Sequence, residues 1–459
     1  MKGSLSARLV PVVGLRRPHR PFRPTSPPAV QADAHAGSYS IFMLPGIFDA
    51  PHDDSTSVTR LGYSSLDPVD VGVSLLIDDD LPAMAIGAWG GLEAVIAPDA
   101  LCTYCDPDDA LTPPPGVFPP SGDDNKSTPN ASDPSKGVRF GFISYPDPTV
   151  YAAGVTAHQV IWRRDGEWFT NGDPDWAGNI LATADHRRHH HSAEELSVPT
   201  RWSTGDRDAH RRGVLSCLDA IRAGEVYQAC ISAQFRTPMT SRAEAARWWL
   251  STVHRTRPRY AMFLATNDRA IASLSPELFL ERRGSTVWSS PIKGTIPIDR
   301  DPEELARSRK DVAENIMIVD LVRNDLSRVC RDVTVPSLLK VVPAPGVWHL
   351  VSTVSAQVDD VSPARDSRII DACFPPASVT GTPKLRAREY LAEWEPVTRG
   401  IHCGTVGINW GDIVANVAIR TAEWVNGELV LGTGGGITID STPDAEWAEI
   451  MAKTSTLRW

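Results

Sequence analysis

The apolar residues of this chain fall into short segments separated by turn-forming residues. The segments 71–77 and 138–145 have the length of β-strands, and Asp165-Gly166 divides the segment 160–169 into a predicted hairpin. No segment approaches the roughly 18 consecutive apolar residues of a membrane-spanning helix. Such a chain has to bury its apolar surface between layers of strands and helices, so we expect a layered globular fold and no membrane association.

Beyond residue 205 the pattern changes to helices that alternate with strands. A strand is predicted over 225–235 and a helix over 385–394. Further helices are predicted to begin near Asp301 and Thr442, where a capping residue precedes a proline. The mixture predicts an α/β (α+β) fold.

Two segments have the composition of tails or loops. Residues 1–38 are basic and proline-rich, and we expect a disordered tail, with an organelle transit peptide as the alternative. Residues 106–137 are crowded with Pro, Asp, Ser and Gly, which predicts a long surface loop. The chain is therefore divided into this tail, a sheet-rich N-terminal subdomain over 39–200 and a second region over 201–459.

The charge and the cysteine content argue against two classes of protein. A net charge of -10 at pH 7 disfavours proteins that bind nucleic acid chiefly through its phosphates, because these carry a surplus of Lys and Arg. The seven cysteines are scattered and odd in number, which favours a reduced cytoplasmic setting over a disulfide framework. Cys102 and Cys105 have no second pair at metal-binding spacing, so we interpret them as two unrelated thiols.

Two motifs near the C-terminus suit the binding of an anion or a metal ion. The run Gly434-Gly435-Gly436 leaves backbone amide groups unshielded. Glu446 and Glu449 are three residues apart on a predicted helix, so their carboxylates share one face. Oxygen ligands of this kind favour Mg²⁺, although an ordinary turn and a solvated helix face explain the same residues.

Two further features have both a functional and a structural interpretation. The segment 380–383 precedes the predicted helix over 385–394, and the N-terminus of a helix either binds an anion or is simply capped. Lys293 lies between strand-like sequence and a turn. A lysine in that position is a surface residue unless burial makes it a nucleophile.

These motifs occur together with others, in a fixed order, from Ala220 to the C-terminus. The matching segments are 224–232 (GEVYQACIS), 275–279 (SPELF), 291–295 (PIKGT), 311–325 (DVAENIMIVDLVRND), 349–352 (HLVS), 374–384 (FPPASVTGTPK), Arg420, 434–436 (GGG) and 446–449 (EWAE) with Lys453. In this order they resemble the chorismate-utilising enzymes of the anthranilate synthase component I type. The first 200 residues resemble that family only loosely, mainly through 141–145.

The resemblance implies the fold and a metal ion. The family fold has a two-sheet antiparallel β-sandwich core covered by helices, with the active site in a central cleft, and 201–459 would be its chorismate-binding catalytic region. The resemblance also implies a Mg²⁺ ion that Glu314, Glu446 and Glu449 bind together with the ring carboxylate of chorismate.

The resemblance assigns further residues to the substrate. Arg420 and the amide groups of the glycine run would hold the enolpyruvyl carboxylate, with Lys453 adding positive charge. His349 would lie near the reacting ring and is implied to be a catalytic residue. The substrate-binding positions implied in this way are Gln228, Thr295, Thr380, Gly381, Arg420, Gly434, Gly435, Gly436 and Lys453.

Two residues are implied to take part in the bond changes. Glu277 resembles the general acid that protonates the departing C4 hydroxyl, and Lys293 resembles a nucleophile that attacks C2 of the ring. Relatives that make anthranilate, isochorismate or salicylate usually carry Ala in place of Lys293. Water-using relatives usually carry a lysine base in place of Gln228, and glutamine cannot accept a proton from water. The chain therefore resembles aminodeoxychorismate synthase component I most closely.

The implied reaction, of the transaminase class, converts chorismate and ammonia to 4-amino-4-deoxychorismate through an intermediate bound to Lys293. The product would serve 4-aminobenzoate and folate or an aromatic secondary metabolite. Because Cys403 does not lie in a glutaminase nucleophile turn, ammonia is expected from a separate glutamine amidotransferase subunit, component II, or from free ammonium.

Departures from the family pattern keep other interpretations open. His402 stands where relatives usually have Tyr, and Thr433 stands where many have Ala. The alternatives are anthranilate synthase component I, another chorismate enzyme, or a non-catalytic relative that binds chorismate or the amidotransferase.

Overall fold

A computed structural model describes most of the chain beyond residue 57. The described residues are 58–77, 82–98, 100–114, 134–191, 198, 200–360, 362–455 and 457. The predicted tail over 1–38 and most of the predicted loop over 106–137 lie outside them. Within that loop, a four-residue helix is formed by Pro107–Ala110.

The strands begin shortly after the first described residue and recur through almost the whole chain. They are β1 (Thr59–Tyr63), β2 (Ala83–Trp89), β3 (Leu92–Ala97), β4 (Thr103–Cys105), β5 (Val138–Ile143), β6 (Ala152–Ala157), β7 (Ile161–Arg164), β8 (Glu167–Thr170), β9 (Gln228–Pro238), β10 (Tyr260–Ala265), β11 (Arg269–Ser275), β12 (Leu278–Arg283), β13 (Thr286–Ser290), β14 (Ile292–Pro297), β15 (Arg331–Ala344), β16 (Val347–Gln357), β17 (Gly381–Thr382), β18 (Thr405–Asn409), β19 (Ile413–Val417), β20 (Thr421–Val425) and β21 (Glu428–Ile437).

The helices lie mostly in the second half. They are α1 (Pro68–Ile77), α2 (Pro107–Ala110), α3 (Pro174–Arg187), α4 (Arg207–Arg222), α5 (Arg242–Thr256), α6 (Pro302–Arg307), α7 (Arg309–Leu326), α8 (Arg365–Cys373), α9 (Lys384–Trp394) and α10 (Pro443–Thr454), with a 3-10 turn over Ala377–Val379.

Within the described ranges the strands form two antiparallel sheets. The first sheet has eleven strands among these residues, in the order β1-β8-β7-β3-β2-β10-β11-β20-β21-β9-β17. The second has ten, in the order β14-β16-β13-β12-β19-β18-β5-β6-β4, and β15 pairs with β16. Strands from before and after residue 200 are neighbours in both sheets, since β2 pairs with β10 and β5 pairs with β18. The described residues therefore belong to one compact unit.

The side chains of each strand point alternately to the two faces of its sheet, and this divides the core into layers. On β10, Tyr260 and Met262 pack with residues of the second sheet such as Phe140, while Ala261 and Phe263 pack with the helices on the outer face. Since successive side chains of a strand point to opposite faces, one apolar strand serves both layers. The predicted two-sheet antiparallel sandwich covered by helices is confirmed.

The prediction of a strand over 71–77 is wrong, because this segment belongs to helix α1. Asp67 begins the helix, its side chain accepting a hydrogen bond of 2.9 Å from Val69 N. Apart from Ile77 at its end, the apolar residues of α1 are buried between the first sheet, α3 and α5. A helix buried on all sides lacks the polar face that normally reveals a helical period, so its short apolar run is indistinguishable from a buried strand.

Other elements follow the predictions closely. The hairpin is confirmed as β7 and β8, with Asp165 and Gly166 at φ +50° and +77° in its turn. The helix predicted near Asp301 is divided into α6 and α7, and Ser308 caps the second, accepting a hydrogen bond of 3.3 Å from Asp311 N. No helix in the described ranges is long and apolar enough to cross a membrane. All seven cysteines are free thiols.

A buried ion pair ties the second sheet to α8. Arg282 on β12 and Asp366 on α8 are 0% and 1% exposed and share hydrogen bonds of 2.5 and 2.9 Å. Arg282 also donates to the carbonyl oxygens of Gly284 and Gly411, while Asn409 donates to Asp366. These bonds offset the cost of removing both charges from water.

Replacing Arg282 by Met is expected to lower the free energy of unfolding by about 3–5 kcal/mol, because the buried Asp366 then loses its two hydrogen bonds from a guanidinium and keeps only Arg365, 3.8 Å away, as a counter-charge. Urea denaturation measures the change. Arg331, which forms an exposed ion pair with Asp359, supplies a matched control, and Arg331→Met should change stability little. Equal effects of the two substitutions would show that the buried pair does not hold α8 to the sheet.

Candidate functional site

Glu446 and Glu449 on α10 face the glycine run at the end of β21. A Cβ atom added to Gly435 would lie 3.0 Å from Glu446 Oε2 and 3.7 Å from Glu449 Oε1. Helix α10 begins just after β21, where Thr442 Oγ1 accepts a hydrogen bond of 3.4 Å from Ala445 N. A side chain at this point of the strand would push the Glu446 carboxylate aside by a small distance, which glycine avoids.

Gly436 brings three of the other predicted site residues together. A Cβ atom there would lie 3.1 Å from Glu314 Oε2, 3.5 Å from Lys293 Nζ and 3.8 Å from Gln228 Oε1. Glu314 comes from α7, Lys293 from β14 and Gln228 from β9. Residues separated by more than 200 positions in sequence thus surround one point of the backbone.

Two further lysines pair with the glutamates. Lys310 Nζ lies 3.3 Å from Glu446 Oε1 and 4.0 Å from Glu314 Oε1. Lys453 Nζ lies 2.7 Å from Glu449 Oε1 and donates a hydrogen bond of 2.9 Å to Gly434 O. For Glu449 burial is outweighed by Lys453 and the other lysines, and its pKa is lowered. The carboxylates and ammonium groups therefore form one electrostatic cluster.

The carboxylate oxygens of this cluster suit a hard cation, although they do not form a complete coordination site. Glu314 Oε1 and Glu446 Oε2 are buried and lack a hydrogen-bond partner, and such oxygens are ligands that Mg²⁺ accepts. No three carboxylate, imidazole or thiolate groups of the described residues are arranged to hold a metal ion. A bound cation would thus need further oxygen ligands from substrate or water.

Glu277 is a buried carboxyl group beside this cluster. It lies between β11 and β12 and accepts a hydrogen bond of 3.4 Å from Ile292 N. Burial raises the pKa of the Glu277 carboxyl to about 7, against the opposing effects of a hydrogen bond from Ser378 and the charge of Lys293. A carboxyl group with this pKa retains a proton near neutral pH, as a general acid must.

His349 and Thr295 lie opposite each other on β16 and β14. Thr295 Oγ1 and His349 Nδ1 are 2.8 Å apart, and His349 Nε2 is buried without a partner. Burial, with the positive charges of Arg420 and Arg259, lowers the pKa of His349 to about 4. The imidazole is therefore neutral at physiological pH and offers a hydrogen bond rather than a charge.

The glycine run has an open edge. Strand β21 pairs with β20 only as far as Leu431, whereas its pairing with β9 continues through Gly434, Gly435 and Gly436. Amide groups alternate between the two edges of a strand, so the three glycines cannot all direct N–H groups to the open edge. An anion held at this edge would accept hydrogen bonds only from alternate amide groups. Arg420 or another group has to donate the remaining hydrogen bonds.

Thr380 is buried in the 3-10 turn region beside the site. Its hydroxyl donates a hydrogen bond of 3.0 Å to Pro376 O, so it is available to a ligand only as an acceptor. The next residue packs against β9, and a Cβ atom added to Gly381 would lie 2.6 Å from Gln228 O. The predicted contact of Thr380 and Gly381 with substrate remains a prediction.

The side chain of His402 occupies the space beside Gly432, two residues before the glycine run. A Cβ atom added to Gly432 would lie 2.3 Å from His402 Cγ, so no side chain fits there. His402 Nε2 lies 3.3 Å from Ser232 Oγ, and burial lowers the pKa of the imidazole to about 3. The histidine that replaces the usual tyrosine is thus a neutral group packed behind the glycine run. Thr433, which directly precedes the glycine run in sequence, is also buried.

Sequence analysis did not identify Lys310 or Ser378 as site residues. Lys310 precedes Glu314 by four positions on α7, a spacing that puts both on one helix face and would have pointed to it. Ser378 lies in a 3-10 turn far from Glu277 in sequence, and no local signal indicates their contact.

Comparisons with known proteins identify the family and the fold. A family model described as chorismate binding enzyme matches residues 131–458. Aminodeoxychorismate synthase component 1 of Escherichia coli (strain K12) is 36% identical over 274 residues, which are 57% of this chain and 60% of that protein. The protein of the same name from Salmonella typhimurium is 39% identical over 246 residues, which are 51% of this chain and 53% of that protein. The chain thus spans little more than half the length of these relatives.

A solved structure supports the fold. Anthranilate synthase component I from Streptococcus pneumoniae TIGR4 matches with a TM-score of 0.61 and 20% identity, over 90% of this chain and 95% of that one. At this identity the likeness concerns the fold alone.

Glu277→Gln is expected to become more stable, relative to wild type, as the pH rises from about 4.5 to about 7. In that interval the unfolded carboxyl ionises and the buried one does not, so the wild type loses stability with rising pH. The difference should reach roughly 3 kcal/mol. Denaturant titrations at several pH values measure it, with the exposed Glu303→Gln as control. A pH-independent difference would mean that Glu277 ionises normally.

Proposed function

Because the chain belongs to the chorismate-binding enzyme family, we propose that it transfers an amino group to C4 of chorismate, as an aminodeoxychorismate synthase component I. The observation that carries the proposal is the position of Lys293. Its amine lies within 3.5 Å of a Cβ position at Gly436, whose other neighbours are Glu314 and Gln228. The described residues provide no hydrogen bond or ion pair within 4.0 Å for this amine, which favours a reacting group over a structural one.

The proposed reaction balances with Lys293 as a transient nucleophile. The neutral amine bonds to C2 of the ring, the two double bonds shift by one position each, and the C4–O bond breaks. Ammonia then bonds to C4, the double bonds return, and the C2–N bond breaks to release the lysine. The net change is chorismate plus ammonia to 4-amino-4-deoxychorismate plus water.

Glu277 would supply the proton for the departing oxygen. Hydroxide is a poor leaving group, so the C4 hydroxyl has to leave as water. A carboxyl group whose pKa is about 7 is protonated in much of the enzyme at neutral pH and gives up its proton readily. Its burial at 3% exposure also keeps bulk water from competing with ammonia.

The substrate is a dicarboxylate, and the site offers positive charge for both groups. Arg420, whose guanidinium makes no hydrogen bond within the described part of the chain, would hold the enolpyruvyl carboxylate through two parallel hydrogen bonds. Glu314, Glu446 and Glu449 would hold Mg²⁺, which when bound neutralises the ring carboxylate and polarises the ring.

The nitrogen source is proposed to be a second protein. The relatives are named component 1, which implies a further component, and a glutamine amidotransferase supplying ammonia fits the proposed chemistry. The reaction then belongs to the transaminase class of transferases. The product would feed 4-aminobenzoate synthesis.

Replacing Lys293 by Ala is expected to reduce formation of 4-amino-4-deoxychorismate by about a hundredfold or more, because no nucleophile remains for C2. Lys293→Arg should be equally inactive, since it keeps the charge but not the nucleophile. The assay separates products from chorismate, Mg²⁺ and ammonium by chromatography. Lys136→Ala, at an exposed turn before β5, is the control. Wild-type rates in Lys293→Arg, or anthranilate as the wild-type product, would contradict the proposal.

Glu446→Gln is expected to raise the Mg²⁺ concentration for half-maximal activity by about tenfold or more, because a neutral amide is a poorer ligand than a carboxylate. A Mg²⁺ titration of chorismate consumption measures the shift. Asp444 lies on the same helix and pairs with Arg207 at the surface, so Asp444→Asn should leave the titration unchanged. An unchanged titration in Glu446→Gln would remove this residue from the ligand set.

A further inference from the structure

Lys310 lies between two of the carboxylates proposed to bind Mg²⁺. It precedes Glu314 by one helical turn on α7, and its ammonium is 4.0 Å from Glu314 Oε1. The same ammonium reaches α10, where it donates a hydrogen bond of 3.3 Å to Glu446 Oε1. One side chain therefore joins the two helices that carry these carboxylates.

The two glutamates need a cation because they are buried. Their side chains are 8% and 3% exposed, whereas that of Lys310 is 38% exposed. Glu314 Oε1 and Glu446 Oε2 also lack hydrogen-bond partners. Two buried carboxylates that both lie within 4.0 Å of one ammonium group repel each other unless positive charge lies close to both.

A divalent cation would compete with Lys310 for Glu314 Oε1, which lies 4.0 Å from the ammonium and makes no hydrogen bond. An ion bound by Glu314 and Glu446 would lie within a few ångströms of the ammonium group, and like charges at that separation repel strongly when partly buried. Lys310 has a flexible four-carbon chain with a partly exposed end, so its ammonium is able to withdraw toward solvent. That withdrawal removes the favourable pairing with the carboxylates and so opposes metal binding.

We propose that Lys310 is a built-in counter-cation that holds Glu314 and Glu446 in place before a metal ion binds and weakens the affinity of the site for Mg²⁺. The inference rests on the metal site of the proposed function and assigns Lys310 a positioning role, not a catalytic one. Its consequence is that Mg²⁺ binds firmly only when the substrate carboxylate contributes a further negative ligand.

The test is Mg²⁺ binding by isothermal titration calorimetry, without chorismate, to the full-length protein. Lys310→Met removes the ammonium and keeps most of the side-chain volume, and we expect it to bind Mg²⁺ at least about tenfold more tightly than wild type. Lys310→Arg retains the charge and should bind Mg²⁺ within about threefold of wild type. Arg309→Met, at the exposed neighbouring position on α7, should match wild type.

Unchanged or weaker binding by Lys310→Met would overturn the proposal. So would tighter binding by Arg309→Met to the same extent, since the effect would then belong to net charge alone. If Lys310→Met is unstable, its thermal midpoint is measured with and without Mg²⁺. A larger increase in that midpoint than in wild type supports the proposal, and an equal or smaller one contradicts it.

These outcomes are independent of the reaction product. If the product assay yielded anthranilate instead of 4-amino-4-deoxychorismate, the proposed function would fail while tighter Mg²⁺ binding by Lys310→Met would still support the role of Lys310. Conversely, the wild type could form 4-amino-4-deoxychorismate while Lys310→Met binds Mg²⁺ with unaltered affinity. That result would overturn the role of Lys310 and leave the proposed function standing.

Discussion

The site depends on burying several carboxylates together without leaving their charge unbalanced. Moving one ionised carboxylate from water to a protein interior costs several kcal/mol unless a counter-charge and hydrogen bonds replace the water. The lysines of the cluster supply that charge, and the result differs from one glutamate to the next. Burial raises the pKa of Glu277 to about 7, whereas for Glu449 it is outweighed by the nearby lysines and the pKa is lowered. One site thereby contains both a carboxyl group that retains a proton near neutral pH and a carboxylate that stays ionised.

This charge cluster is possible only where backbone and side chains approach closely. Strand β21 runs through the first sheet next to β9, and its glycines leave room on the strand for carboxylates from α7 and α10. The sandwich holds β14 and β9 so that Lys293 and Gln228 reach the same point. Because Lys293, Gln228 and the glycine run all lie on paired strands, the cluster is preorganised by the sheets and not by flexible loops.

Much of the architecture was predictable from local patterns, and the failures have physical reasons. The hairpin of β7 and β8 follows from Asp165-Gly166, since that pair favours the positive φ angles of a tight turn. Helix α1 was mistaken for a strand because it is buried on all sides, which removes the polar face. Ser378 was missed because its contact with Glu277 joins distant segments and has no local signature.

The sequence by itself determined the family, the order of the motifs and the residue types available for chemistry, because these depend only on which side chains follow one another along the chain. Only the tertiary structure decided which of them meet. Glu277 and Lys310 acquire their roles from burial and from neighbours on other elements, and the three glycines are restricted by strand pairing. Desolvation and Coulomb interactions act through space, so they become defined only when the two sheets and their helices have packed.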